Sequence, residues 1–145
     1  MRLLITTPTA VVIDERDVVA VRAEDESGSF GILNGHAEFL TALTTSVVSW
    51  HHGGGRQRFC AVRRGVLSVM DGNEVAIATR QAIVSDDLSH LEHGVLAQFR
   101  DELEAERTTR TESLRLQMQA IKQIVRYLRP ERHRTFGAGS WTLRA

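Results

Sequence analysis

Cysteine is almost absent from these 145 residues: Cys60 stands alone, which excludes an intrachain disulfide and fits a reducing compartment or simple packing. Proline is confined to Pro8 and Pro130, so long stretches are free of its backbone interruption. Lysine occurs once, at Lys122, and arginine carries the rest of the basic charge. Eighteen basic residues cancel eighteen acidic ones, leaving no bulk field to recruit nucleic acid or anionic lipid. No apolar run approaches the roughly 18 residues of a membrane span, and the N-terminus has no apolar signal segment. The expectation is a soluble, cytoplasmic chain that reaches a membrane only through a protein partner.

The 42% of residues that are hydrophobic suffice for a real core, in one large domain or two small ones. Up to about Val84 they form short β-branched or apolar runs at 3–7, 11–13, 18–24, 46–50, 56–62, 65–70 and 74–79, each closing in turn-forming residues. Gly53-Gly54-Gly55 and Asp71-Gly72-Asn73 supply the positive φ values that hairpins need. Evenly spaced strands without intervening helices predict an all-β sandwich. Its core would draw on one face of each strand, for example Phe59, Ala61, Val66, Val69, Val75 and Ile77.

At Ser85 the period changes. Ser85 is a credible N-cap, with Asp86 and Asp87 placed to favour the helix dipole. Leu88, Leu91, Val95, Phe99 and Leu103 then recur at steps of three and four, and Leu114, Met118, Ile121, Val125 and Leu128 make a second stripe before Pro130. One long helix competes with a hairpin turning near Thr108. The hairpin is preferred here because two narrow apolar stripes can cover one another. The segments are thus 1–85 as a β-sandwich, 86–129 as a helical hairpin and 130–145 as a disordered tail.

Few residues suggest chemistry. His36 lacks a partner at a catalytic spacing, and His51, His52, His90 and His93 do not match a metalloprotease pattern or supply a zinc set with cysteine. No nucleophile elbow, phosphate loop or paired-cysteine motif occurs. The expectation is therefore no metal, no cofactor and no catalytic residue. Arg110, Arg115, Lys122, Arg126, Arg129, Arg132 and Arg134 make the second helix and the residues after it basic, suited to an acidic protein surface. Without interleaved aromatic residues, a nucleic-acid partner is not expected.

The densest feature is Gly28-Ser29-Phe30-Gly31-Ile32-Leu33-Asn34-Gly35-His36-Ala37-Glu38-Phe39-Leu40, which reads as an exposed loop because glycines and an Asn-Gly pair punctuate apolar residues. It resembles the Gly-Xaa-Leu-Gly-Ile-Leu-Pro-Gly-His-Ala-Pro-Leu-Leu signature of the epsilon subunit of bacterial F-type ATP synthase. Asn34 and Glu38 replace prolines, while Phe30 and Phe39 replace aliphatic residues, as in a divergent branch such as the sodium-type enzymes. The similarity in layout extends over the first 130 residues or so.

That resemblance implies a ten-stranded sandwich followed by two helices, in a non-catalytic rotor subunit of the central stalk on the cytoplasmic side of the bacterial inner membrane. Implied partners are the gamma subunit, the polar loops of the c-ring and, through the helices, the alpha/beta catalytic head. The contact loop would comprise Ser29, Phe30, Gly31, Ile32 and His36, with Ser29 standing where some members have an acid. Arg115, Lys122, Arg126 and Arg129 would hold acidic residues of the head when the helices swing up to inhibit hydrolysis. The family's nucleotide motif falls on Leu88-Ser89-His90-Leu91-Glu92-His93, which lacks its aspartate and arginine, so no nucleotide site is expected. Two other readings remain: a free-standing β-sandwich binding module with a helical dimerisation tail, and a metal-dependent hydrolase built on the four paired histidines.

Overall fold

A computed structural model describes residues 1–128. Arg129, Pro130 and the expected 130–145 tail lie outside the described residues. Ten strands come first: β1 (Arg2–Thr6), β2 (Val11–Glu15), β3 (Val18–Asp25), β4 (Gly28–Leu33), β5 (Phe39–Leu43), β6 (Ser46–His52), β7 (Gln57–Val62), β8 (Gly65–Met70), β9 (Glu74–Thr79) and β10 (Ala82–Ser85). Hydrogen bonding runs β10–β7–β6–β3–β5–β8–β9–β1–β2, with β4 on the other edge of β3. All neighbours are antiparallel except β1 and β9.

Between β3 and β5 the ladder narrows to one pair, Asp25 with Leu43. The strands therefore form two leaves, β10–β7–β6–β3–β4 and β5–β8–β9–β1–β2, over a shared core. Strand alternation sends Val21 and Ala23 of β3, Ile32 of β4, Val48 and Trp50 of β6, Leu67 and Val69 of β8, and Val75 and Ile77 of β9 into it, and a register shift in β3 between Val18 and Ala20 turns Val18 inward as well. Gly65 opens β8 at φ +154°, where an added Cβ would sit 2.4 Å from the carbonyl oxygen of Ala78. Only glycine permits that approach of two backbones.

The expected turns at 53–55 and 71–73 are present, with left-handed Gly55, Asp71 and Gly72. Four expectations need correction. The glycine-punctuated stretch is not one loop: Gly28–Leu33 is β4, paired with β3 from Ala20–Leu33 to Asp25–Gly28, and Phe39–Leu43 is β5. The core phase on β7 is shifted by one residue. Cys60 and Val62 face the sandwich core, whereas Ala61 and Phe59 pack outward under a helix, and Val66 is exposed. Asp87, not Ser85, is the N-cap, accepting from Ser89 N at 2.9 Å and His90 N at 3.3 Å, while Ser85 Oγ accepts from Asp87 N.

The fourth correction concerns the hairpin. After α1 (Leu88–His90) and a π-helical turn (Leu91–Val95), α2 runs unbroken through Leu96–Leu128, past the turn expected near Thr108. Neither glycine nor proline follows Gly94 within it, and adding residues to an existing helix is favourable where starting a second one is costly. Thr111 Oγ1 donates to the Arg107 carbonyl at 2.9 Å, so its hydroxyl is satisfied inside the helix.

Backbone packing divides the chain into two units, Met1–Ala105 and a second that begins at Glu106. In the first unit Leu91, Val95, Leu96 and Phe99 cover the outer face of β6 and β7, over Val47, Phe59 and Ala61. In the second, every described residue from 106 to 128 is exposed.

Candidate functional site

The candidate contact residues occupy β4 and the turn after it. Strand alternation directs Ser29, Gly31 and Leu33 outward, opposite Glu24, Arg22 and Ala20 of β3. Phe30 is half-buried and packs against the core, and Ile32 is fully buried in it. Ile32 was expected at the contact surface. Its position on the inward face makes it a core residue with no side-chain surface for a partner.

His36 sits just beyond the turn, half-buried, with Nδ1 donating to the Ala37 carbonyl at 2.8 Å and its amide donating to the Leu33 carbonyl at 3.1 Å. The turn itself is docked: Gly35 N donates to Gly72 O at 2.7 Å. Gly72 is left-handed at φ +64°, and a Cβ there would lie 3.2 Å from Gly35 Cα. The two turns thus meet backbone to backbone.

Phe39 joins these residues. Its ring lies edge-on to Phe30 at 5.5 Å between centroids and to His36 at 5.8 Å. Its β5 neighbour Leu40 is 71% exposed, and Leu33, at the end of β4, is 62% exposed. Leu33, Phe39 and Leu40 were missed as surface candidates, although they belong to the same stretch. Once Gly28–Leu33 is known to be a strand, period-two alternation identifies Leu33 as an exposed apolar side chain.

Asp25 closes the near end of this surface. Its carboxylate accepts from Ser27 N and Oγ at the β3–β4 turn, and from Thr41 Oγ1 of β5 at 2.8 Å. The Ser27 and Thr41 hydrogen bonds hold it below the usual aspartate range.

A second polar cluster lies on β2, β6 and β7. Glu15 accepts from Trp50 Nε1 and His52 Nε2, each at 2.7 Å, and pairs with Arg58, whose guanidinium also lies over the Trp50 ring. Burial pushes the Glu15 carboxyl up, but the hydrogen bonds from Trp50 and His52 and the charge of Arg58 outweigh it, leaving it low. This cluster joins the two leaves by side chains. His52 is used there, and His93 Nδ1 donates to the Ser89 carbonyl at 3.1 Å.

On α2, Arg115, Lys122 and Arg126 are exposed and lie within one narrow sector, being seven and four residues apart. They flank Leu114, Met118, Ile121, Val125 and Leu128, each between 50% and 74% exposed. The second stripe is therefore open to solvent instead of covered by the first, as a hairpin would have required. Among the described residues no helix is long and apolar enough to cross a membrane.

Residues 1–85 match the family described as ATP synthase, Delta/Epsilon chain, beta-sandwich domain. The chain belongs to this family. Among curated delta/epsilon relatives it is 46% identical over 132 residues to ATP synthase epsilon chain 2 of Paraburkholderia xenovorans, covering 91% of this chain and 95% of the relative. ATP synthase epsilon chain 2 of Cereibacter sphaeroides is 39% identical over 128 residues, 88% of each chain. The same fold occurs in a chain of the Euglena gracilis mitochondrial ATP synthase assembly containing OSCP, F1 and the c-ring. That likeness has a TM-score of 0.58 at 24% identity and covers 79% of this chain and 70% of the other. The delta/epsilon assignment therefore rests on sequence, and the structural neighbour supports the fold.

Proposed function

We propose that this chain is a non-catalytic central-stalk subunit of an F-type ATP synthase, one that helps couple ion flow to ATP synthesis or hydrolysis. The observation that carries this reading is the match to an ATP synthase epsilon chain along nearly the whole of both chains, 91% and 95%. A β-sandwich module with a dimerisation tail has no comparable support.

In this reading the β4–β5 surface meets other rotor subunits. Ser29, Gly31 and His36 supply polar and backbone contacts to the c-ring loops, while Phe30 is in edge-on contact with Phe39. Leu33 and Leu40 offer exposed apolar area for the gamma subunit. The chain has no role in bond-making, and it stays peripheral, on the cytoplasmic side of the bacterial inner membrane, by holding protein partners.

Arg115, Lys122 and Arg126, together with Arg129 beyond the described residues, would pair with acidic residues of the catalytic head and slow hydrolysis. The exposed apolar stripe beside the first three fits a role in which that helix finds cover only in the assembled complex. Co-expression with a gamma-type subunit tests the central claim. A stoichiometric complex surviving size-exclusion chromatography is expected, and failure to form one removes the assignment.

A further inference from the structure

We infer that a cleft on the outer face of the sandwich, between β3 and the helical stretch that covers β6 and β7, is a binding site for a short peptide with free termini. The inference goes beyond the rotor reading and does not depend on it.

The sheet lays down the floor. Val21 and Ala23 of β3 point into the core, so Arg22 and Glu24 point outward. Val48 and Trp50 of β6 likewise point inward, which leaves Val47 and Ser49 on the outer face. Arg22 and Ser49 are direct cross-strand partners, so their side chains stand next to one another. The helix supplies the wall. Glu92, Leu96 and Arg100 follow one another at steps of four and line the same cleft, with Leu96 packed in the cluster of Val47, Phe59 and Ala61. Floor and wall bound a space of about 500 Å3, the size of an ordinary small-ligand site.

Ser49 marks this space as a site. It lines the cleft at 8% exposure, yet its hydroxyl makes no hydrogen bond to another described residue. Other buried polar side chains are satisfied: Ser46 Oγ donates to the Thr44 carbonyl at 3.2 Å, Thr79 Oγ1 to the Arg63 carbonyl at 3.3 Å, and Arg63 to Glu102 at 3.0 Å. A buried hydroxyl without a partner is costly, and the open side of Ser49 is the cleft.

The charges define the occupant. Arg22, Glu24, Glu92 and Arg100 all line the cleft, and none of them pairs with another described residue. A polyphosphate would set its charge against Glu24 and Glu92, and a polyamine would meet Arg22 and Arg100. Two open cations and two open anions call for a ligand of both signs. Along β3 the two charges are about 7 Å apart, and along the helix about 12 Å. A free amino acid holds both its charges on one residue, whereas an extended tripeptide spans about 10 Å. Its carboxylate would take an arginine with Ser49, and its ammonium a glutamate.

Triglycine is the probe, titrated into the full-length chain and followed by amide chemical shifts. Resonances of Arg22, Ser49 and Glu92 should move together and saturate by about 20 mM, where a site of millimolar affinity is nearly full. Ser49→Ala should weaken binding roughly threefold to tenfold. Arg22→Gln and Glu92→Gln should each weaken it about tenfold, because opposite ends of the peptide are read by opposite charges. All three changes leave the core untouched. N-acetyl triglycine amide, which has lost both charges, should not bind. An absence of shifts, equal binding of the blocked peptide, or tighter binding by Glu92→Gln would each overturn the proposal. Movement of the same resonances by ATP at lower concentration than by triglycine would overturn it too, since the cleft would then select for negative charge.

Discussion

Gly35 hangs from Gly72 by a 2.7 Å hydrogen bond between main chains, so the turn after β4 is carried by the turn between β8 and β9. The two glycines belong to different leaves of the sandwich. Whatever binds near His36 therefore touches a surface fixed by both leaves.

Replacing Gly72 by valine should cost about 1–3 kcal/mol, because a β-branched residue is strained at positive φ and its Cβ would crowd Gly35. Urea midpoints measure the loss. The His36 ring resonances should shift in the same variant, since the docking of the turn changes; an unmoved His36 would mean the turn is held in some other way.

Leu40→Asp separates contact from stability. At 71% exposure the side chain contributes little to folding, and the change in stability should stay within about 0.5 kcal/mol. Capture of a gamma-type subunit should weaken by roughly tenfold or more, because a charge enters an apolar contact. Titration calorimetry against that subunit reads the difference.

Glu15 makes folding depend on pH with a definite sign. Its folded pKa lies below its unfolded one, so its stabilisation is complete above about pH 4.3 and disappears as the pH falls through the lower folded value. Glu15→Gln should be less stable than the parent by about 1–3 kcal/mol near neutrality. The gap should close in acid. Paired denaturation curves at neutral and acid pH check this, and a gap that persists in acid would assign the loss to shape instead of charge.

Cys60 should be inert in the folded chain. It is fully buried in the core, and burial pushes its thiol up to about 12. An aromatic disulfide reagent at mildly alkaline pH should label it only at the rate of global unfolding. Rapid labelling in native buffer would contradict its placement.

Removing residues 106–145 tests inhibition without disturbing the packed helix root. Hydrolysis by the reconstituted complex should rise, and adding the triple change Arg115→Glu, Lys122→Glu and Arg126→Glu to the intact chain should raise it in the same direction. Equal rates for the truncated and intact subunits would remove the inhibitory role.

The turns were legible because their chemistry is local. Gly53-Gly54-Gly55 and Asp71-Gly72-Asn73 advertise backbone angles that few other residues take. The phase of β7 was not legible, because the strand is buried on both sides: Cys60 and Val62 meet the core while Phe59 and Ala61 meet the helix, so no polar face marks the outside. β4 was hidden by Gly28 and Gly31, which weaken a strand signal even when neighbouring strands impose the conformation. The hairpin failed for a related reason. Two apolar stripes need not cover one another, and nothing at Thr108 breaks the backbone. Phe39 escaped notice as the hub of the surface because ring contacts with Phe30 and His36 depend on a strand-and-turn geometry that sequence spacing does not contain.

The single rung from Asp25 to Leu43 governs how force would travel. A twist entering one leaf finds few main-chain paths to the other, among them this rung, the Gly35–Gly72 bond and the Val18–Met1 bond, and passes chiefly through interlocked Val, Ile, Leu and Trp50 side chains, which are as dense as an organic crystal and yield little. Such a body behaves as a laminated shim, stiff under compression between its faces.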